Sequence, residues 1–240
     1  MLLHCSLAHA GAWDGVARAL ADRCASVAPD LVGHGRGPAR DPRRDYHDHC
    51  TDLALGHLPD APSHLIGHSF GASVALRLAL DHPARVASLT LIEPVLFAAA
   101  KGQPGWQKHR AMMAGLGPLL AAGDLDAAAA HFLAEWGGGV PFSAMPEAQR
   151  AYMAARIWVV PESAPVLEED RANLLPRLGQ LRCPTLLIEG DRSPPVIAEI
   201  QAALAAAIPQ ARRAVALGAG HMAPITHPAA VAAEITTLLD

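Results

Sequence analysis

The sequence predicts an α/β chain: a mostly parallel central sheet with helices on both faces, interrupted once by a helical insertion. Three observations carry this reading. Apolar runs of about four to eight residues, bounded by turn-forming residues, recur along the chain, as strands buried on both faces do. Longer alanine-rich amphipathic segments alternate with them, the pattern of crossover helices linking parallel strands. Of 240 residues, 51% are hydrophobic and 18% charged, which suits one sizeable core and excludes a disordered chain.

Taken in order, LLHC opens as a strand and residues 13–23 read as a helix. CASVAPDL is a second strand, running into the glycine-rich turn GHGRGP. Residues 46–57 are helical, HLIG is a strand, residues 71–80 a helix, and VASLTLIE the next strand. Residues 95–180 break the rhythm: rich in Ala, Met, Trp and Gly, they show helical spacing without a convincing strand. GGGVP at 137–141 and the prolines at 161 and 165 punctuate them. The alternation then resumes with PTLLIEG (strand), 196–207 (helix), RRAVALG (strand) and 228–239 (helix). The expected organisation is a core of 1–94 and 181–240, with 95–180 inserted as a helical cap.

Bulk properties remove several classes of function. A net charge of -4 provides no basic field for nucleic acid. No apolar run reaches membrane-spanning length unbroken, and the start MLLHCSLAHA lacks the features of a signal peptide. Four scattered cysteines suit a reducing, cytoplasmic setting better than a disulfide framework. DYHDHC at 45–50 looks like a metal site, but helical spacing splays His47, His49 and Cys50 onto different faces. GHGRGP lacks the lysine and hydroxyl of a phosphate loop and the spacing of a dinucleotide fingerprint. No metal and no cofactor are expected. A homodimer is compatible with this composition.

Gly67-His68-Ser69-Phe70-Gly71 fits G-x-S-x-G between a strand and a helix. That turn forces its central residue into an unfavourable backbone conformation, and the flanking glycines let strand and helix approach. The serine hydroxyl is thereby presented at the carboxyl end of the sheet, near the positive end of the following helix. A small polar residue in a tight connection is the blander reading; strand and helix flanks favour a nucleophile. Such a hydroxyl needs a base. Of thirteen histidines, His221 in LGAGHMAP stands out, in a loop just past the last strand. His68 is expected to turn into packing, and His227, before Pro228, to enter a helix.

These pieces together resemble the alpha/beta-hydrolase superfamily over nearly the whole chain. The matching stretches are LLHCSLAHAGAW, PDLVGHGRG, LIGHSFGAS, LTLIEP, PTLLIEGDRS and GAGHMAPITHP. The resemblance implies a serine hydrolase without cofactor, Ser69 attacking an acyl carbonyl and His221 moving the proton. It implies a small or medium apolar carboxylic ester as substrate. Carbon–carbon bond hydrolysis, acyl transfer, perhydrolysis or a non-catalytic binding role are the alternatives. Relatives with an aspartate nucleophile, the epoxide hydrolases and haloalkane dehalogenases, are disfavoured by Ser69.

This chain departs from the family pattern in three places. The acid usually follows the glycine of the penultimate strand by three positions; here that position is Ser193. Glu93 and Asp191 are the two substitutes, Glu93 being preferred because some relatives carry their acid on that strand. The oxyanion donors implied are the backbone N–H groups of Phe70 and of Ser6 or Leu7, although His4-Cys5-Ser6 replaces the usual His-Gly. Cys5 would then make the site sensitive to alkylation. Finally, relatives carry further strands before that loop, so a sheet shortened at one edge, or a truncated sequence, is expected. The Met and Trp residues of the insertion (Met112, Met113, Trp136, Met153, Trp158) read as cap core, a minority of them facing substrate.

Overall fold

The computed structural model describes residues 1–239. Five strands form one sheet in the order β1 (Leu2–Leu3), β2 (Ser63–His68), β3 (Val86–Ile92), β4 (Thr185–Gly190) and β5 (Arg212–Ala216), each neighbouring pair parallel. The helices are α1 (Asp14–Ala19), α2 (Tyr46–His57), α3 (Phe70–Asp81), α4 (Pro104–Ala121), α5 (Leu125–Trp136), α6 (Glu147–Ala154), α7 (Val159–Leu167), α8 (Pro195–Ala207), α9 (Ala223–Thr226) and α10 (Pro228–Thr236).

Successive strand residues face opposite sides of a sheet, and this period of two divides the interior into two cores. Leu3, Leu65, Leu89, Leu91 and Leu187 enter one, against α2, α3, α8 and much of the 95–180 segment. Leu2, Ile66, Ile92, Leu186 and Ile188 enter the other, against α1 and α10. Helix α3 is buried on nearly every side, which its run of Ala, Val and Leu permits. The register aligns the strand ends: Leu3 opposite Gly67, His68 opposite Ile92, Ile92 opposite Ile188, Gly190 opposite Ala216. The next residues along the chain, His4, Ser69, Glu93 and Asp191, therefore leave the sheet along one rim.

Between β3 and β4 the described residues hold helices only. Glu199 of α8 fastens α4, its carboxylate accepting from the N–H groups of Gly105 (2.7 Å) and Trp106 (3.0 Å). A carboxylate there also complements the positive end of the helix.

Three expectations need correction. CASVAPDL is no strand; it lies beside β1, to which it is joined by a backbone bond from Leu2 N–H to Val27 O at 2.8 Å. Residues 25–27 are exposed, and Pro29 has no N–H to extend a ladder. The first helix is shorter than residues 13–23, being a 3-10 turn (Ala10–Trp13) followed by α1. Prolines 161 and 165 do not separate helices but lie within α7. Pro161 sits in the first turn, where its missing N–H is no loss, whereas Pro165 removes one interior helical bond.

Candidate active site

Ser69 joins β2 to α3 with φ 56° and ψ -119°, a conformation that costs a non-glycine residue roughly 1–3 kcal/mol. The crowding explains its glycines. A Cβ on Gly67 would lie 2.3 Å from the carbonyl oxygen of Gly71, and one on Gly71 2.3 Å from that of Leu3. The strained turn is held by the Ser69 N–H, which donates to Ile92 O at 2.9 Å.

His221 lies in the loop after β5. Its Nε2 is 3.0 Å from Ser69 Oγ and its Nδ1 3.0 Å from Glu93 Oε2. A carboxylate accepts, so Nδ1 carries the proton and Nε2 offers a lone pair to the serine hydroxyl. All three side chains are buried, Glu93 completely, which keeps these interactions out of competition with water. Glu93 also has positive φ, 51°, and its N–H is tied to Ile188 O at 2.8 Å.

Of the two carboxylates left open by the sequence, Glu93 meets the imidazole. Asp191 is exposed, its Oδ1 accepting from the N–H of Gly218 at 2.7 Å. Ser193, at the position where the resemblance placed an acid, donates its hydroxyl to Glu93 Oε1 at 2.7 Å. The N–H of Gly190 donates to the same oxygen at 2.6 Å.

His68 packs inward as expected, but it also touches the loop of His221. Its Nε2–H donates to His221 O at 2.7 Å, and its ring stands edge-on to Trp13. Burial, then the neighbouring His221, hold the His68 imidazole well below its ordinary value, so it stays neutral. That support was not foreseeable from sequence, because the contact spans 153 positions.

The loop after β1 is braced by two more neutral histidines. His4 donates from Nδ1 to Cys5 O (2.7 Å) and accepts at Nε2 from Leu31 N–H (2.9 Å). His34 donates from Nδ1 to Val32 O (3.0 Å) and accepts at Nε2 from Leu7 N–H (3.1 Å). Burial, the largest cause in both, lowers them to about 4 and about 3. GHGRGP thus has a role beyond its turn: His34 occupies the N–H of Leu7, a residue with φ 61°. Among the described residues, no protein group accepts from the N–H groups of Ser6 and Phe70. Cys5 is buried, and burial pushes its thiol up to about 12, which disfavours the thiolate that alkylation requires.

Ser69 and His221 border a cavity of about 740 Å³, walled by Phe97, Met113, Phe132, Leu133, Trp136 and Met153 among others. Trp136 stands edge-on to His221 with ring centroids 4.6 Å apart. Met112 and Trp158 pack against the core instead. On α2, His47 and Cys50 are buried and His49 is half-buried; no cluster of three metal-ligating groups occurs among the described residues.

The chain resembles proteins whose names share one theme. Over 92 residues it is 40% identical to a pimeloyl-(acyl-carrier protein) methyl ester esterase of Nitrosomonas europaea, covering 38% of this chain and 35% of that one. Over 175 residues it is 30% identical to the protein of the same name from Aeromonas hydrophila, covering 72% and 65%. The alignments therefore span less than two thirds of these relatives' own length. Among solved structures, a hydrolase from Pseudomonas aeruginosa superposes with a TM-score of 0.75 at 22% identity, over 99% of this chain and 89% of that one, a likeness of fold. The model of the alpha/beta hydrolase family matches residues 1–234. With an all-parallel sheet, a serine on the strained turn after β2 and a match over nearly its whole length, the chain belongs to the alpha/beta hydrolase family.

Proposed function

We propose that the chain is a cofactor-independent serine hydrolase that cleaves small or medium apolar carboxylic esters through an acyl-enzyme. The observation that carries this is the hydrogen-bonded series Ser69–His221–Glu93 at the wall of an apolar cavity. The names of the relatives, methyl ester esterases among them, fit an ester substrate. A volume of about 740 Å³ lies in the range of small-molecule sites, roughly 300–1,000 Å³.

In this reading Ser69 Oγ attacks the ester carbonyl while its proton passes to His221 Nε2. Glu93 holds the Nδ1–H and stabilises the imidazolium that forms. The oxyanion takes the N–H groups of Phe70 and Ser6, the former at the positive end of α3. His221 returns the proton to the departing alcohol, which leaves an acyl-Ser69. A water then attacks this ester with His221 as base, and collapse frees the carboxylic acid and restores the serine. Residues 1–94 and 181–240 form the catalytic core, and 95–180 act as a cap that supplies most of the apolar wall. Four free cysteines suit a reducing compartment such as the cytoplasm.

The test is fluorophosphonate labelling with p-nitrophenyl ester turnover, acetate to dodecanoate, in wild type and Ser69→Ala. Wild type should label and turn over the shorter apolar esters best, and Ser69→Ala should do neither. Equal labelling of the two proteins would discard the mechanism.

A further inference from the structure

We infer that Ser193 is a positioning residue that aims the Glu93 carboxylate at His221. This rests on the reading above, in which Glu93 orients the imidazole. A fully buried carboxylate must be compensated by ions or by hydrogen-bond donors. Among the described residues no Lys or Arg pairs with Glu93, and His221 meets it through a hydrogen bond from Nδ1–H. Its remaining donors both address Oε1: the N–H of Gly190 at 2.6 Å and the hydroxyl of Ser193 at 2.7 Å. Two donors on one oxygen define the plane of the carboxyl group, and that plane sends Oε2 toward His221 Nδ1. Without Ser193, Oε1 keeps a single donor and the plane of the group is held less tightly.

The support for Ser193 is local. It follows β4 closely, and its own N–H returns to Gly190 O at 3.3 Å. The residue that supplies the second donor and the residue that supplies the first are thus held in one turn at the end of the same strand. The sheet register brings Ile188 opposite Ile92, so this turn stands beside Glu93 at the rim. Ser193 does not touch the reacting atoms; it acts through Glu93.

The experiment is a double-mutant cycle with p-nitrophenyl butyrate, comparing wild type, Ser193→Ala, Glu93→Gln and the double variant, with Ser193→Thr and thermal melts alongside. A hydrogen bond to a charged group is worth roughly 10- to 100-fold. Ser193→Ala should lose about that much kcat with KM held within about twofold. Ser193→Thr, which keeps the hydroxyl, should recover most of the loss. In the Glu93→Gln background, Ser193→Ala should change kcat by less than about threefold, because no carboxylate is left for the hydroxyl to aim at His221. Wild-type kcat in Ser193→Ala, an equal loss in both backgrounds, or an Ala loss that Thr does not relieve would overturn the proposal. Failure of the underlying reading has a different mark: Ser69→Ala, or Glu93→Gln alone, would keep wild-type turnover, and the role of Ser193 would fall with it.

Discussion

Replacing Glu93 by glutamine removes a charge while keeping the shape of the side chain, and the surrounding donors dictate how the amide must sit. Gly190 N–H and Ser193 O–H both point at Oε1, so the amide oxygen must occupy that position. The amide nitrogen is thereby placed where Oε2 was, 3.0 Å from His221 Nδ1. An NH₂ group donates, so Nδ1 has to offer a lone pair and the ring proton moves to Nε2. That nitrogen then faces Ser69 Oγ with a proton instead of a lone pair and cannot act as base. An imidazole held in the wrong tautomer loses roughly 10³- to 10⁴-fold in kcat, about 4–5 kcal/mol of barrier. Because the bonds to Gly190 and Ser193 persist, the melting temperature should change by only a few degrees. Turnover of p-nitrophenyl butyrate and a thermal melt, with Asp191→Asn beside it, test this. Asp191 serves the exposed turn at Gly218, so its variant should keep nearly full activity. Retention of more than a tenth of wild-type kcat in Glu93→Gln, or collapse of activity in Asp191→Asn, would refute the reasoning.

Two further outcomes concern stability. In Gly71→Ala the new methyl meets backbone oxygens of Leu3 and His4 at 2.3 and 2.6 Å, which cannot rotate away. A loss of about 3 kcal/mol or more, lowering the melting point by roughly 6–12 °C, is expected in a thermal melt, and an unchanged melt would contradict the packing. Acid should also weaken the fold through the neutral pair His4 and His34, lowered by burial to about 4 and about 3 from 6.5. The unfolded chain binds the extra protons first, so their contribution is whole above about pH 6.5. It declines as the pH falls toward those values, by up to about 1.4 kcal/mol per pH unit for each histidine. Urea midpoints from pH 7.5 down to 4.5 should drop accordingly in wild type, and a flat profile would dismiss the assignment.

Much of the fold was readable because its signals are local. The expected strands HLIG, VASLTLIE and PTLLIEG fall in β2, β3 and β4, and α2 occupies the predicted 46–57, since burial on both faces and an alternation of element types need no long-range information. Ser69 was legible for the same reason: a strained strand-to-helix turn demands glycines at fixed offsets. CASVAPDL misled because an apolar composition does not reveal whether a segment has a partner on both sides; it lies outside the edge strand, where Pro29 limits pairing.

The order of elements, the serine and a loop histidine after the last strand were all legible along the chain. Which carboxylate meets that histidine, and what aims it, belonged to the tertiary structure. Glu93 lies 128 positions from His221 and 100 from Ser193, and Asp191 is nearer to both in sequence. Only the parallel register, by ending β3 and β4 at a common rim, turns Glu93 inward to a buried imidazole and leaves Asp191 in solvent. A hydrogen bond depends on ångströms between atoms, and the spacing of residues along a chain does not encode that distance when a sheet intervenes.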